Sequence, residues 1–253
     1  MFRIVIPARY ASSRLPGKPL LALAGKPLLQ WVHERALGCG AIEVLVATDD
    51  ARIAEVARGF GAQVVLTAAH HETGTDRIAE VARLAGWSND AVVVNLQGDE
   101  PLMPAQLVRQ VAALLARHES ADIATLAAQL DSVTALLDPN VVKVVTTPQG
   151  RALYFSRAPI PWDRDSATQG LSSQVSVAGA RRHIGLYAYR VSALQRLAAL
   201  PPTPLERLER LEQLRALEHD MDIRVDEAQV LPGPDVNTAA DLQRAAILLA
   251  AQG

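Results

Sequence analysis

Residues 7–20, with the sequence PARYASSRLPGKPL, concentrate three fixed cations in one short segment: Arg9, Arg14 and Lys18. The chain as a whole is slightly acidic, with 25 Lys and Arg against 27 Asp and Glu. Arginine forks and a lysine point charge are suited to holding phosphate oxygens. The alternative interpretation is a solvated surface loop, which is the usual environment of Lys and Arg.

Two common phosphate-binding motifs are absent from this segment. A P-loop needs GxxxxGK[ST], but here Pro19 follows Gly17 and Lys18. A dinucleotide fingerprint needs GxGxxG, and residues 7–20 contain a single glycine. Side chains rather than backbone amides must therefore hold any phosphate there.

A second group of polar residues follows the apolar run VVVN (92–95). The chain continues through Gln97, Gly98 and Asp99, so a carboxylate stands just beyond the end of a predicted strand. A carboxylate next to phosphate oxygens is a typical ligand for Mg²⁺. The alternative is that Asp99 or Glu100 caps or opens the helix that follows.

These two segments belong to a regular alternation of apolar β-type runs and segments with helical periodicity. The predicted strands are 3–6, 43–48, 62–67, 91–97 and 121–127, and the predicted helices are 27–38, 50–59, 75–85 and 104–118. Strands that are apolar on both faces predict a Rossmann-like, doubly wound, mostly parallel α/β sheet covered by helices. In such sheets ligands bind at the carboxyl ends of the strands. The loops that start at Pro7 and Gly98 should meet there.

The pattern becomes richer in β-strands after about residue 138. Residues 141–157 predict two strands around a Pro-Gln-Gly turn. Residues 183–190 predict a further strand, and 222–229 contain a predicted edge strand. Helices are predicted over 204–219 and over 238–251, the second with Thr238 as its N-cap. We expect one α/β domain over 1–253, with a β-rich insertion at 138–190 and a return to the main body over 191–253.

Composition excludes several classes of protein. Hydrophobic residues make up 49% and charged residues 21% of the chain, as in ordinary globular proteins. There is no basic excess of the kind that nucleic-acid or acidic-membrane binders carry, and no apolar run of the roughly 18 residues that a membrane span needs. The single cysteine, Cys39, cannot form an internal disulfide. We therefore expect a cytoplasmic protein with neither nucleic acid nor membrane as a partner.

The segment IPARYASSRLPGKPL resembles the opening signature of the CMP-sugar synthetases, the cytidylyltransferases that activate acidic sugars. Further segments are similar to the branch that acts on 3-deoxy-D-manno-octulosonate (Kdo), and they run nearly from end to end. They are TGTDR (73–77), NLQGDEP (95–101), DPNVVKVV (138–145), YFSRAPIPWDRD (154–165), RHIGLYAYR (182–190) and PLERLERLEQLR (204–215). The resemblance implies a fold of the nucleotide-diphospho-sugar transferase type and transfer of CMP from CTP to Kdo, with release of pyrophosphate.

The resemblance also implies roles for individual residues. The implied catalytic residues are Arg14, Lys18 and Asp99; those for CTP are Arg9, Ala11, Ser13, Thr75 and Arg77; those for Kdo are Gln97, Arg157, His183, Tyr187, Glu212 and Gln213. Arg157 is the leading candidate for the sugar carboxylate. Judged without the resemblance, His183 could be a structural histidine and Glu212 part of a solvated helix face, and Thr73 or Thr75 could cap the start of a helix.

The implied cofactor is Mg²⁺, held by Asp99 and by the segment GPDVNT (233–238). The resemblance predicts an aspartate where this chain has Asn237, whose neutral amide oxygen attracts Mg²⁺ less strongly. Asp235 lies two residues earlier, and residues i and i+2 of an extended segment point to the same side. We therefore expect both Asp235 and Asn237 to face the metal.

The implied assembly is a homodimer, with residues 138–190 contributing sugar binding and the dimer surface and residues 1–137 binding CTP. The product would serve lipopolysaccharide biosynthesis. Three alternatives remain open at this point. The first is CMP activation of another 2-keto sugar acid, such as N-acetylneuraminate; the second is a glycosyltransferase with a DxD metal motif; the third is a non-catalytic nucleotide sensor, which only the Asn237 departure favours.

Overall fold

The computed structural model describes residues 1–11, 15–165, 170 and 173–251 of the chain. Its elements are β1 (Phe2–Pro7), β2 (Ala22–Leu23), β3 (Lys26–Pro27), α1 (Leu28–Leu37), β4 (Glu43–Thr48), α2 (Ala51–Gly59), β5 (Gln63–Leu66), α3 (Gly74–Leu84), β6 (Val92–Asn95), α4 (Ala105–Arg117), β7 (Ile123–Gln129), α5 (Val133–Leu137), β8 (Lys143–Thr146), β9 (Ala152–Ser156), β10 (Arg181–Arg190), α6 (Val191–Ala199), α7 (Pro204–Glu209), α8 (Gln213–Glu218), β11 (Ile223–Glu227) and α9 (Ala239–Ala250). Among these described helices, none combines the length and the apolar character needed to cross a bilayer.

The main sheet has the strand order β11-β7-β10-β6-β1-β4-β5, which confirms the predicted mostly parallel α/β fold. Only β10 along this path runs antiparallel to its neighbours, β6 and β7. The chain winds outward from β1 through β4 to β5 and then returns to place β6 on the other side of β1. The reversal opens a crevice at the carboxyl ends of β1 and β6, which is where doubly wound sheets bind ligands.

Helices cover both faces of this sheet because successive strand residues point to opposite sides. Ile4 and Ile6 of β1 are fully buried against the face that α1 and α4 cover, together with Leu107. Val5, between them, is buried on the opposite face with Ile78 of α3. Full burial of each such side chain contributes roughly 1.5–3 kcal/mol to stability. The two cores fix the strand ends that carry the polar residues.

The second half of the chain follows the predicted strands closely. β8 and β9 form an antiparallel hairpin whose turn is closed by a hydrogen bond from Gly150 N–H to the carbonyl of Thr147, at 3.0 Å. β10 begins two residues before the predicted strand and lies in the middle of the main sheet. β11 is the predicted edge strand, and Thr238 caps α9 by accepting a hydrogen bond from Asp241 N–H.

The predicted continuous helix over 204–219 is wrong. The segment forms two short helices, α7 and α8, separated at Arg210, which adopts the left-handed conformation with φ of 53°. The break brings Glu206 and Arg215 together in a buried ion pair, with Arg215 Nε donating to Glu206 Oε2 at 2.8 Å. In a continuous helix these two residues would be roughly 13 Å apart along the axis. The ion pair therefore requires the break.

Candidate active site

A cleft of about 400 Å³ opens at the carboxyl ends of β1 and β6. It is lined by Pro7, Ala8, Arg9, Lys18, Pro19, His71, Glu72, Thr73, Gly74, Arg77, Gln97, Gly98, Asp99 and Asn237. The cleft therefore brings the cationic first loop to the carboxylate at the end of β6, as the sequence predicts. Of the other residues in that loop, Arg14 and Ser13 lie outside the described residues, and Ala11 is exposed beyond the lining.

Lys18 joins the first loop to the opposite wall of this cleft. Its ammonium donates to Asp99 Oδ2 at 2.6 Å, to the carbonyl of Val236 at 3.0 Å and to Asn237 Oδ1 at 3.4 Å. Gly17 precedes it with φ of 68°, a left-handed conformation that glycine adopts without strain. Val236 N–H in turn donates to the carbonyl of Asp99 at 2.9 Å. These contacts bind the 235–237 segment to the turn after β6.

The oxygens around Lys18 suit a hard divalent cation. Asn237 Nδ2 donates to Asp235 Oδ2 at 3.1 Å, which directs the amide oxygen of Asn237 towards the Lys18 ammonium. Asp99 and Asn237 thus present oxygens to one cationic atom. Asp235 is exposed and contacts the side-chain amide of Asn237 instead. Within the described residues no three acidic, histidine or cysteine side chains form a closed metal cage. Mg²⁺ commonly binds through one or two carboxylates and completes its shell with phosphates and water, so this donor set fits it.

Glu100 lies directly behind these groups. Burial, reinforced by the charges of Asp99 and Asp235, raises the pKa of its carboxyl well above the ordinary value. Its Oε2 atom is buried and has no hydrogen-bond partner among the described residues. Burial thus favours the neutral form of the Glu100 carboxyl, whereas Asp99 pairs with the Lys18 ammonium. Neither residue caps the next helix, because α4 begins only at Ala105.

Two arginines border the cleft differently. Arg9 is exposed, and its guanidinium donates to the carbonyl of Glu72 at 3.4 Å. Arg77 is only 3% exposed; it donates to the hydroxyl of Thr67 and pairs with Asp49 Oδ1 at 3.1 Å. Arg77 thus ties together the ends of β4 and β5, whereas Arg9 is free to turn towards a ligand.

A second, smaller cavity of about 100 Å³ adjoins the cleft and shares Gly74 and Gln97 with it. Its lining is Gly74, Thr75, Asn95, Gln97, Ile123, Tyr187, Tyr189, Leu197, Glu212 and Gln213. Four of the six residues predicted for the sugar are in this wall. Paired donors and acceptors of this kind suit a polyhydroxylated ligand.

Glu212 connects the two spaces. Its carboxylate accepts hydrogen bonds from the hydroxyl of Thr75 at 3.0 Å and from that of Thr73 at 3.4 Å. Burial raises its pKa to about 7, with the Thr75 hydrogen bond opposing that rise. Glu212 is thus no part of a solvated helix face. At neutral pH it can exchange between a hydrogen-bond acceptor and a donor.

Behind this cavity lies a small aromatic cluster. His183 Nε2 is 2.9 Å from the hydroxyl of Thr125, and the imidazole contacts the rings of Phe155 and Tyr187 with centroids 5.1 and 5.2 Å away. Burial lowers the His183 pKa to about 3, so the ring is neutral. A β-bulge in β10 between His183 and Tyr187 shifts the register and aims Tyr187 into the cavity. His183 therefore supports Tyr187 from outside the lining.

Arg157 also lies outside both linings. Its Nε donates to the carbonyl of Glu209 at 2.6 Å and its Nη1 to that of Pro139 at 2.8 Å. Nη2 is 3.5 Å from the carbonyl of Arg210. The acceptors that the described residues offer to this guanidinium are neutral, so its positive charge remains uncompensated by them.

Sequence reasoning missed Asn95 and Tyr189 in the smaller cavity. Asn95 is 2% exposed, and its buried Oδ1 has no partner among the described residues. It stands opposite Tyr187 in the pairing of β6 with β10, two positions before Gln97. A polar residue two positions before Gln97, on the same side of an otherwise apolar strand, was the available signal.

Comparison with known proteins places this arrangement in a family. A sequence profile described as Cytidylyltransferase matches residues 3–223. A 3-deoxy-manno-octulosonate cytidylyltransferase from Thioalkalivibrio sulfidiphilus (strain HL-EbGR7) is 58% identical over 250 residues, which cover 99% of each chain. The protein of the same name from Methylococcus capsulatus is 56% identical over 96% of this chain and 95% of its own.

Solved structures agree with these sequence matches. CMP:2-keto-3-deoxy-manno-octonic acid synthetase complexed with CTP superposes with a TM-score of 0.90 and 40% identity over the whole of both chains. A cytidylyltransferase from Leptospira borgpetersenii shares the fold, with a TM-score of 0.62 and 16% identity over 98% of this chain and 86% of its own. The chain belongs to the cytidylyltransferase family.

Proposed function

We propose that this enzyme transfers CMP from CTP to 3-deoxy-D-manno-octulosonate, giving CMP-Kdo and pyrophosphate. The names and near-complete coverage of the relatives support this reaction, as does the whole-chain similarity to a synthetase complexed with CTP. The observation that carries the proposal furthest is the shared wall between the cationic cleft and the polar cavity. A nucleotide and a sugar bound in two adjoining spaces have their reacting atoms at that wall.

The reaction forms a bond from oxygen to phosphorus at the expense of a phosphoanhydride bond. The anomeric 2-hydroxyl of the sugar attacks the α-phosphorus in line and loses its proton to solvent, the bond from that phosphorus to the bridging oxygen of the β-phosphate breaks, and pyrophosphate leaves. Such a step depends mainly on positioning and on neutralising charge. In this proposal Arg9, Arg14 and Lys18 neutralise the triphosphate, and Lys18 meets the charge that develops on pyrophosphate.

The sugar-side residues orient the nucleophile. Gln97 stands at the shared wall, where its amide can bind the sugar next to the α-phosphate. Tyr187, Glu212 and Gln213 bind sugar hydroxyls, and Arg157 provides the charge for the sugar carboxylate. Glu212 also accepts hydrogen bonds from Thr75 in its own cavity and from Thr73, which lines the cleft. The positions of both substrates are thereby coupled through one carboxyl group.

The cofactor in this proposal is Mg²⁺, held by Asp99 and Asn237 with Asp235 bracing the amide. When bound, the ion withdraws charge from the phosphate oxygens and lowers the pKa of a coordinated hydroxyl. The contribution of the chain is to present the oxygens of Asp99 and Asn237 to one point.

Three further proposals rest on the family resemblance of the sequence rather than on the geometry. The enzyme acts as a homodimer, with residues 138–190 at the dimer surface. It works in the cytoplasm, where CTP is made. Its product enters lipopolysaccharide biosynthesis.

The test is release of pyrophosphate by the purified protein with CTP and Mg²⁺, measured with Kdo, with N-acetylneuraminate and without sugar. We expect release with Kdo alone. Asp99→Asn should lower kcat about 100-fold or more, whereas Asp90→Asn, at an exposed position, should not change it. Release with N-acetylneuraminate only would identify the other sugar acid, and CTP binding without release in any arm would identify a nucleotide sensor.

A further inference from the structure

Lys143 is a fully buried lysine to which the proposed reaction gives no role. Its side chain is 0% exposed, and its ammonium donates to the carbonyls of Asp138, Val141 and Arg157 at 2.9, 2.6 and 2.6 Å. Burying an ammonium is costly unless all of its donors are satisfied. Here all three are satisfied by the main chain, so this lysine fixes backbone rather than pairing with an acid.

The three carbonyls belong to two segments that meet at Arg157. Asp138 and Val141 flank Pro139, whose own carbonyl accepts the hydrogen bond from Arg157 Nη1 at 2.8 Å. The third acceptor is the carbonyl of Arg157 itself. Lys143 therefore holds both sides of the contact between Arg157 and Pro139.

Glu209 holds Arg157 from the other side. Its carboxylate accepts the backbone N–H of Arg157 at 2.8 Å and the hydroxyl of Ser156 at 2.6 Å. Its carbonyl accepts Arg157 Nε at 2.6 Å. Glu209 ends α7, three residues before Glu212 in the cavity wall. The anchoring of Arg157 is thus continuous with the sugar cavity.

The hydrogen bonds of the Arg157 guanidinium go to carbonyls rather than to carboxylates. The described acceptors of the Lys143 ammonium and of the Arg157 guanidinium are neutral carbonyls. Of the nearby carboxylates, Glu209 is bound to the backbone N–H of Arg157 and Asp138 to Asn140 N–H at 2.8 Å. An arginine held without a carboxylate partner keeps its charge for a ligand, and a bidentate site needs its guanidinium held in a defined plane.

We propose that Lys143 is a positioning residue for Arg157: its buried ammonium locks the 138–141 turn and the end of β9 together, so that the guanidinium is oriented for the sugar carboxylate. The inference rests on the proposed function only for the identity of that anion. The locking itself is a property of the folded chain and can be measured without substrate.

The test uses the variant Lys143→Met, which keeps the side-chain length and removes the three donors. Val144→Ala is the matched control, since it opens the core in the same strand and leaves the Lys143 contacts in place. One measurement is steady-state kinetics with both substrates. The other is the ¹⁵N–¹H signal of Arg157 Nε, assigned by its loss in Arg157→Lys and followed for hydrogen exchange in the substrate-free protein.

For Lys143→Met we expect the KM for Kdo to rise about tenfold or more while the KM for CTP changes less than about twofold, because only the orientation of the carboxylate-binding group is lost. The Arg157 Nε–H should lose its protection from exchange. Val144→Ala should lower the melting temperature without either effect. An unchanged KM for Kdo together with a protected Nε–H would overturn the proposal.

Lys143→Gln decides the question if Lys143→Met does not fold. Its shorter, uncharged amide keeps a donor for the buried carbonyls of Asp138, Val141 and Arg157 but cannot bind all three as the ammonium does. We expect the same selective rise in the KM for Kdo and the same loss of Nε–H protection, and their absence would overturn the proposal. Wild-type protein that releases no pyrophosphate with Kdo refutes the proposed function, while the exchange measurement still decides whether Arg157 is locked.

Discussion

Lys18 holds, in this structure, the oxygens that a divalent cation would need. A fixed ammonium 2.6 Å from Asp99 Oδ2 and 3.4 Å from Asn237 Oδ1 competes with a metal ion for the same donors. In the proposed reaction it would have to move towards the triphosphate before a metal could take its place. Lys18, proposed to neutralise phosphate, would thus also keep the proposed metal donors engaged while the nucleotide is absent.

Removing this ammonium should make metal binding to the nucleotide-free protein easier. We expect Lys18→Met to bind Mn²⁺ about tenfold more tightly than wild type in the absence of CTP, because a competing positive charge is removed. Its kcat should fall about 100-fold, since leaving-group stabilisation is lost. Electron paramagnetic resonance of free Mn²⁺ measures the affinity. Lys26→Met, which removes a surface pair with Glu34, is the control; equal affinities in all three proteins would contradict the competition.

Glu212 should make stability depend on pH near neutrality. Burial raises its folded pKa to about 7, so the native state binds this proton more tightly than the unfolded chain does. Stability is then greatest below the unfolded pKa and is lost as the pH rises through about 7, by about 2–3 kcal/mol between pH 5 and pH 8. Glu212→Gln should lack this loss.

Urea unfolding at pH 5 and pH 8 measures the difference. Wild type and Glu212→Gln should be similar at pH 5, and the variant should be the more stable protein at pH 8. Glu218→Gln, at the exposed end of α8, should titrate as wild type does. If Glu212→Gln and wild type lose the same stability over this range, the carboxyl group is ionised well below pH 7.

Among the elements, the junction of α7 and α8 has the most unusual backbone. Arg210 adopts φ of 53° and ψ of 47°, which costs an L-residue roughly 1–2 kcal/mol. Arg210→Gly removes that strain, partly offset by the greater entropy of glycine in the unfolded chain. We expect a net stabilisation of about 0.5 kcal/mol, measured by urea unfolding.

The matched variant is Arg207→Gly, at an exposed position inside α7. Glycine in a helix interior should destabilise the protein by about 1 kcal/mol. Opposite signs for the two glycine variants are the expected result. Loss of stability in both would mean that the left-handed conformation at Arg210 carries no strain.

The elements of the first half were predictable from sequence because their signals are local. Period-two and period-3.6 patterns gave β1, β4 and α1 within a few residues of their observed bounds. The break at Arg210 was not predictable in this way, because helical periodicity continues on both sides of it. What requires the break is an ion pair between side chains nine residues apart, and only the tertiary structure brings those together.

The candidate site was also predictable only in part, and again the local sequence signals gave the predictable part. Position at a strand end was enough to bring Lys18 and Asp99 into one cleft, since the doubly wound topology fixes where those ends meet. The smaller cavity needed the resemblance, because Glu212 and Gln213 lie on a short helix remote in sequence. Asn95 was missed because nothing in one strand shows that it stands opposite Tyr187.

At the scale of the whole molecule, the cations of the cleft contrast with the slightly negative net charge of the chain. The formal net charge is −2, yet the cleft gathers cations where both proposed substrates are anionic. Attraction of CTP should therefore depend on salt, since the Debye length shrinks from roughly 10 Å at 0.1 M towards 3 Å at 1 M. We expect kcat/KM for CTP to fall about tenfold between 50 and 500 mM NaCl, a change of the size seen when electrostatic attraction speeds the association of a charged ligand.

Arg9→Gln should flatten this salt dependence, because the exposed guanidinium stands at the edge of the cleft. Arg58→Gln is the matched control: Arg58 is also exposed but lies near the end of α2 and does not line the cleft. Stopped-flow or steady-state rates at a series of salt concentrations measure the slopes. Equal slopes for the two variants would show that Arg9 does not attract the nucleotide.

The central position of β10 has a consequence for the order of assembly. β6 and β7 are consecutive parallel strands in the sequence, but a gap separates them in the sheet, and only residues 181–190 fill it. During synthesis β1, β4, β5 and β6 can pair as soon as they emerge, whereas β7 must wait for about 50 further residues. The crevice at the ends of β1 and β6 therefore forms early, and the walls that carry Tyr187, Glu212 and Asn237 are added to it in that order.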